Sequence, residues 1–203
     1  MRDYPKTAVL RDGRTVVLRP LAHDDFDKLY AFFQALPEEG RLFLPHDVGN
    51  QALVRQWTDE IDFEHVIPLI AEDGDRIVAD GTLHIETHNW MRHMGLVRLV
   101  IAETHRNVGL GTLITRELIA IAEERSLEKL QVHLIDDDHA QVKLFQLFGF
   151  KKVAVLEGVV KDQKGSSRDL AIMINDVASL GRVVEDWIQD SMIPAFRIPG
   201  AGA

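Results

Sequence analysis

The stretch Arg106-Asn107-Val108-Gly109-Leu110-Gly111-Thr112 constrains this chain more than any other. It follows an apolar run, Leu96 to Ala102, and opens a helical pattern that reaches about Arg125. A strand, a short glycine-containing turn and a helix N-terminus together make an anion site. The first N–H groups of a helix lack intrahelical partners and carry partial positive charge. Gly109 and Gly111 have no side chain to hold a ligand away from those donors. A phosphate-bearing ligand is therefore expected here.

The surrounding pattern sets the class of fold. Arg14 to Arg19 is β-branched and bounded by Gly13 and Pro20, which predicts a first strand. His23 to Leu36 predicts a helix, with Phe26, Leu29, Tyr30 and Phe33 on one face. Pro37 ends it, Gly40 to Asn50 reads as a loop, and Gln51 to Ile61 as a second helix. Val66–Ala71, Arg76–Thr87 and Leu96–Ala102 then predict three strands joined by short turns, an antiparallel meander. After the glycine turn and its helix, Lys129 to Asp136 predicts a strand parallel to the one before the crossover. Asp138 or a neighbour caps a helix that runs to Phe148 and stops at Gly149. Val153–Val160 and Arg168–Ile174 form a final hairpin, Leu180–Asp190 a last helix, and Ile198–Ala203 a frayed tail.

The expected class is α/β of the α+β type: a mixed, mostly antiparallel sheet flanked by helices on both faces. Residues 1–176 form one domain, and 177–203 are a C-terminal helix and tail on or extending it. A length of 203 residues suits that reading.

Composition excludes several function classes. The chain has no cysteine, so it has no disulfide, thiolate zinc site or cysteine nucleophile. The net charge of -9 argues against a nucleic-acid partner, which would select a basic face. No apolar run is long enough to span a bilayer, and the first residues lack the apolar core of a signal peptide. A cytoplasmic protein without a membrane partner is expected.

Three ligand classes compete for the glycine turn. A P-loop needs Lys-Ser/Thr after its last glycine, and Thr112-Leu113 stands there. A dinucleotide fingerprint needs a third glycine inside a parallel unit, and position 114 is Ile. The third class is a coenzyme A pyrophosphate. Here the chain resembles the GNAT superfamily of acyl-CoA-dependent N-acyltransferases over roughly residues 14 to 176. The family signature is Arg or Gln, two variable residues, Gly, one variable residue, then Gly or Ala. Arg106 to Gly111 matches it. Leu144 to Phe150 resembles the family's late helix, and Arg168 to Met173 its last strand.

The resemblance implies a fold in which the fourth and fifth strands run parallel and splay apart. The pantetheine arm then pairs with backbone groups of Leu99, Val100 and Ile101. The pyrophosphate sits on Arg106, Asn107, Val108, Gly109, Leu110, Gly111 and Thr112, and Asp138 and Phe145 line the cofactor site. An N-acetyltransferase is implied, moving acetyl from acetyl-CoA to a primary amine (a small cationic amine, a peptide N-terminus or a lysine) by direct attack in a ternary complex. The family often supplies an acid as a tyrosine where this chain has Phe145, and a phenyl ring cannot donate a proton. A non-catalytic acyl-CoA-binding module is therefore the alternative, followed by another nucleotide-binding protein.

For the base, His133 on the fifth strand ranks first, because imidazole titrates near neutral pH. Its bland alternative is a sheet-face histidine bonded to a neighbour. Glu103, just after the fourth strand, ranks second. His105 is expected against phosphate or solvent. His84, Glu86, His88 and His93 invite a metal reading, but a single hairpin rarely closes a set of three or four ligands. No metal is expected, and some of these residues are expected to line the acceptor side, with Phe32, Phe33, Phe43 and Leu44-Pro45-His46. Trp57, Trp90 and Trp187 read as packing residues. The last helix either packs on its own sheet or makes a homodimer contact.

Overall fold

The computed structural model describes residues 4–42, 44–86, 90–161 and 165–177. The elements are β1 (Lys6–Val9), β2 (Thr15–Pro20), α1 (Phe26–Ala35), α2 (Glu38–Leu42), α3 (Gln51–Asp59), β3 (Val66–Asp73), β4 (Arg76–Ile85), β5 (Met94–Ile101), α4 (Leu110–Glu124), β6 (Lys129–Ile135), α5 (His139–Leu147), β7 (Lys151–Lys161) and β8 (Ser167–Asp176). Short 3-10 turns at His23–Asp25 and Glu103–His105 precede α1 and the glycine turn. The strands form one sheet in the order β1-β2-β3-β4-β5-β6-β8-β7. Every pair is antiparallel except β5 with β6. The expected fold class is the observed one.

Two elements escaped the pattern reading. β1 is only Lys-Thr-Ala-Val, too short to show an alternation, and exists because it pairs along β2. α2 occupies the start of the expected loop. Pro37, which stops α1, also starts α2, and its carbonyl accepts from the Arg41 N–H at 3.0 Å. The expected helix at Leu180–Asp190, with Trp187 and the tail, lies outside the described residues.

The helices divide between the two sheet faces. α4 and α5 cover one face through Leu110, Ile114, Leu118, Val142 and Phe145 against Ala79, Leu83, Val97, Leu130 and Val132. α1 and α3 cover part of the other through Leu29, Phe33 and Val54 against Ile70 and Ile77. Gly81 lets α4 come close: a Cβ there would stand 2.4 Å from Ile114 Cγ2. Gly81→Ala is expected to cost about 1–3 kcal/mol of stability through overpacking, read as a lower Tm.

Candidate active site

β5 and β6 part midway. Their parallel pairing runs from Met94↔Lys129 to Val97↔Val132 and stops. Beyond it β5 stays paired with β4 as far as Ile101↔Ala79, while β6 follows β8 as far as Ile135↔Leu170. The strands diverge because each keeps its outer partner. The gap opens one side of β5. The Ala102 N–H donates to the Val78 carbonyl at 2.9 Å, so alternation turns the backbone groups of Val100 toward β4. Those of Leu99 and Ile101 face the gap instead. Of the three residues expected to pair with a ligand arm, Leu99 and Ile101 turn their backbone groups to the gap, where the Ile101 carbonyl accepts from Arg106 Nε at 3.4 Å, and Val100 does not.

The glycine turn closes one end of the gap. Asn107 and Gly109 take positive φ, 62° and 93°, and Gly109 is the N-cap of α4. A cap without a side chain leaves the helix start uncapped. The first helical bond is from the Leu113 N–H to the Gly109 carbonyl, 3.0 Å, so the N–H groups of Leu110, Gly111 and Thr112 have no protein acceptor among the described residues. Arg106, Asn107, Gly109, Gly111 and Thr112 line the opening. Leu110 is buried in the core, and Val108 packs against it, so these two can offer a ligand backbone only.

Arg11 joins the turn from the β1–β2 connection. Its N–H donates to the Val108 carbonyl at 3.0 Å, and its side chain passes within van der Waals reach of Gly109. Sequence reading missed Arg11, which lies far away along the chain and carries no local signal. Uncapped donors flanked by Arg11 and Arg106 suit a diphosphate group.

The cleft continues past the gap onto the α1/α3 face, with a volume of about 1760 Å³. Cross-strand register sets its floor. Asp80, Thr82 and His84 of β4 stand opposite Val100, Arg98 and Leu96 of β5. His133 of β6 lies one step past the last β5–β6 pair, beside Arg98. Leu44, Pro45, His46 and Trp57 form the far wall, the Trp57 ring lying edge-on to Phe33 and His46. Phe32 and Phe33 are buried beneath it, and Phe43 lies outside the described residues.

Burial distorts the titration of these groups. Asp80 makes no hydrogen bond or ion pair among the described residues, and burial pushes its carboxyl up to about 7. Burial, aided by the positive Arg98, lowers His84 to about 4 and draws His46 and His133 below the ordinary imidazole range. All three imidazoles are thus neutral near pH 7. Burial also lowers Arg98, and no acid compensates it.

Of the other expected site residues, Asp138 and Phe145 border the cleft and Glu103 and His105 do not. Glu103 is exposed in its 3-10 turn and does not line the cleft, because the chain has left β5 and turned outward there. His105 is buried, with Nε2 3.1 Å from Asp73 Oδ2 and 2.8 Å from an Arg14 nitrogen, so it braces the turn rather than meeting phosphate or solvent. Asp138 borders the cleft, but its carboxylate caps α5 through the Gln141 backbone and side-chain N–H groups at 3.1 and 3.0 Å. Phe145 is 1% exposed and edge-on to Phe150, a core residue that also borders the cleft. Trp90 is 87% exposed, so it is not a core packing residue. His88 lies outside the described residues. Among those described, no group of three His, Asp or Glu side chains could hold a metal ion.

A model of the acetyltransferase (GNAT) family matches residues 26–150, the segment that carries α1 through α5 and the splayed strands. The chain belongs to this family. Solved structures agree on the fold. A GNAT acetyltransferase from Streptococcus pneumoniae superposes with a TM-score of 0.70 at 22% identity, over 79% of this chain and 99% of that one. Salmonella typhimurium yncA, solved with its cofactor acetyl-CoA, gives 0.68 at 15% identity, over 80% and 94%. A ribosomal-protein-alanine N-acetyltransferase from Brucella melitensis gives 0.65 at 21% identity, over 78% and 98%. Among the described residues, no helix is long and apolar enough to cross a membrane.

Proposed function

We propose that this GNAT-family chain is an acetyl-CoA-dependent N-acetyltransferase acting on a primary amine, with Asp80 as the base. One observation carries the reading: a carboxyl with no partner among the described residues, pushed up to about 7 by burial, shares a cleft with the uncapped start of α4. Acetyl-CoA would supply an acetyl group on a thioester, whose carbonyl carbon the amine nitrogen attacks, so that a C–N bond forms, the C–S bond breaks and the coenzyme A thiolate departs.

The chain's own groups divide the remaining work. The N–H groups of Leu110, Gly111 and Thr112, with Arg11 and Arg106, bind the diphosphate. The gap-facing backbone of Leu99 and Ile101 aligns the pantetheine arm and offers N–H donors where the carbonyl oxygen gains charge. An amine reaches the site as ammonium and must lose a proton to become nucleophilic. A carboxylate titrating near the working pH is suited to take it. His133, a neutral imidazole at the mouth of the gap, orients the amine. With Phe145 buried and unable to donate, the second nitrogen proton, shed as the amide forms, reaches the leaving thiolate through water.

Coenzyme A is expected to raise the Tm while ATP and NAD do not, and thiol release should follow when acetyl-CoA meets an acceptable amine. Phe145 favours one other reading, a non-catalytic acyl-CoA-binding module. A coenzyme A thermal shift with no thiol release against a broad amine panel would establish that reading instead. His133→Ala should lower kcat/KM about tenfold and keep the wild-type pH profile. A loss of the profile would make His133, not Asp80, the base.

A further inference from the structure

Arg98 is the unexplained residue of the cleft. Its side chain leaves the middle of β5 on the acceptor face, half-buried, where desolvating a guanidinium is costly. Buried arginines normally meet carboxylates. This one makes no ion pair or hydrogen bond among the described residues. Its neighbours on the floor are Thr82, directly opposite, and His133 across the gap. The imidazoles of His46, His84 and His133 bring no negative charge.

The phosphate cradle does not account for Arg98. Leu99 and Ile101 point to the α4 face, where their methyl groups approach Gly111, so Arg98 points away from it. Arg98 also sits just past the closed end of the gap, whereas the glycine turn lies beyond Ile101, about 10 Å farther along the strand. Arg98 therefore faces the acceptor.

Asp80 is the complementary feature. It is the one acid that β4 sends to this face, and it stands opposite Val100, two residues along from Arg98. That is a spacing of about 7 Å. Neither group neutralises the other: no contact joins them, and both open to the same cleft. Two opposite, unpaired charges held apart on a rigid sheet form a template for a small molecule that carries both.

We infer that the acceptor is a zwitterionic amino acid, its carboxylate paired with Arg98 and its amine delivered to Asp80. This rests on the acetyl-transfer reading above and names its substrate class. The fork of Arg98 holds the carboxylate through two N–H donors, as guanidinium–carboxylate pairs commonly do. Leu44, Pro45, Val48 and Trp57 form a mostly apolar wall for the amino-acid side chain. Binding relieves the desolvated cation, so an acceptor without a carboxylate forfeits that gain and leaves Arg98 buried and unpaired. Peptide and protein lysines, which present no carboxylate beside their amine, fit the floor poorly.

The test compares the twenty common L-amino acids with their C-terminal amides and with the corresponding decarboxylated amines, using acetyl-CoA and thiol release. At least one free amino acid should exceed its amide by on the order of a hundredfold in kcat/KM. Arg98→Gln should erase that ratio, chiefly through KM, while the Tm increase given by coenzyme A stays at its wild-type size. Arg98→Lys should restore part of the ratio, since charge returns without the fork. The wild-type comparison stands even if a variant fails to fold. Equal turnover of acids and amides overturns the inference, as does a ratio unchanged in Arg98→Gln or turnover of no free amino acid. Absence of both a coenzyme A shift and thiol release with every amine would instead reject acetyl transfer itself.

Discussion

Replacing Asp80 by asparagine lowers kcat/KM by about 10²–10⁴, the range ascribed to a positioned base, and leaves the coenzyme A thermal shift in place. Asparagine has nearly the same shape and cannot accept a proton at neutral pH, so the loss isolates proton transfer from packing. The wild-type pH profile should rise through about pH 7, where Asp80 loses its proton, and that limb should vanish in the variant. A profile that keeps its limb would remove Asp80 from the role.

The same substitution should stabilise the fold, and the sign follows from linkage. Burial raises the Asp80 pKa above its ordinary 3.8, so the folded state holds a proton that the unfolded chain readily gives up. The penalty is absent below the unfolded value, grows as pH rises, and is complete above about pH 7. Its full size is on the order of 4 kcal/mol. Asp80→Asn should therefore raise the Tm by several degrees at pH 8, an advantage that shrinks steadily toward pH 4. A desolvated acid kept at such a cost with no partner among the described residues is the mark of a functional group rather than a packing one.

Arg19→Met should cost about 3–5 kcal/mol. Arg19 holds Asp25 through two bonds of 2.6 and 2.7 Å and Glu72 through two of 2.8 Å. Asp25 is 3% and Glu72 8% exposed. Removing the guanidinium leaves two buried carboxylates, with only Lys28 remaining on Glu72 at 2.9 Å. At about 2–4 °C per kcal/mol for a chain of this size, the Tm should fall by roughly 10 °C. The contacts with Arg19 depress both carboxyl groups, in Asp25 against the opposing effect of burial. Their contribution is present above the unfolded carboxylate range and is lost as pH falls below it. Arg19→Met should accordingly lose less stability on acidification than the wild type. A Tm change under about 2 °C would show that the cluster contributes little. The cluster matters to the site because it clamps β2 and β3 to the start of α1, which forms one wall of the cleft.

Much of the fold was legible because it rests on local periodicity. The meander of β3, β4 and β5, the crossover through α4 to β6, and the β7–β8 hairpin all follow from alternation, glycine turns and helical stripes. The parts that were not legible depend on partners far away in the chain. β1 forms only as a neighbour of β2. His105 reads as a loop residue and is in fact enclosed by Asp73 and Arg14.

The site divides along the same line. By itself, the sequence determined the uncapped glycine turn, since Arg106 to Thr112 between a strand and a helix dictates free N–H donors through local backbone geometry alone. It also determined the absence of a tyrosine at Phe145. Only the tertiary structure decided which charges share the cleft floor. Register across β4, β5 and β6 brings Asp80, Arg98 and His133 onto one face, and turns Glu103 away from it. Asp80 lies in an ordinary strand pattern, where an acid signals an outward, solvated position. Its raised pKa and the lowered pKa of Arg98 come from burial, and burial is created by the helices and strands that close around a residue, which its own sequence neighbours do not specify.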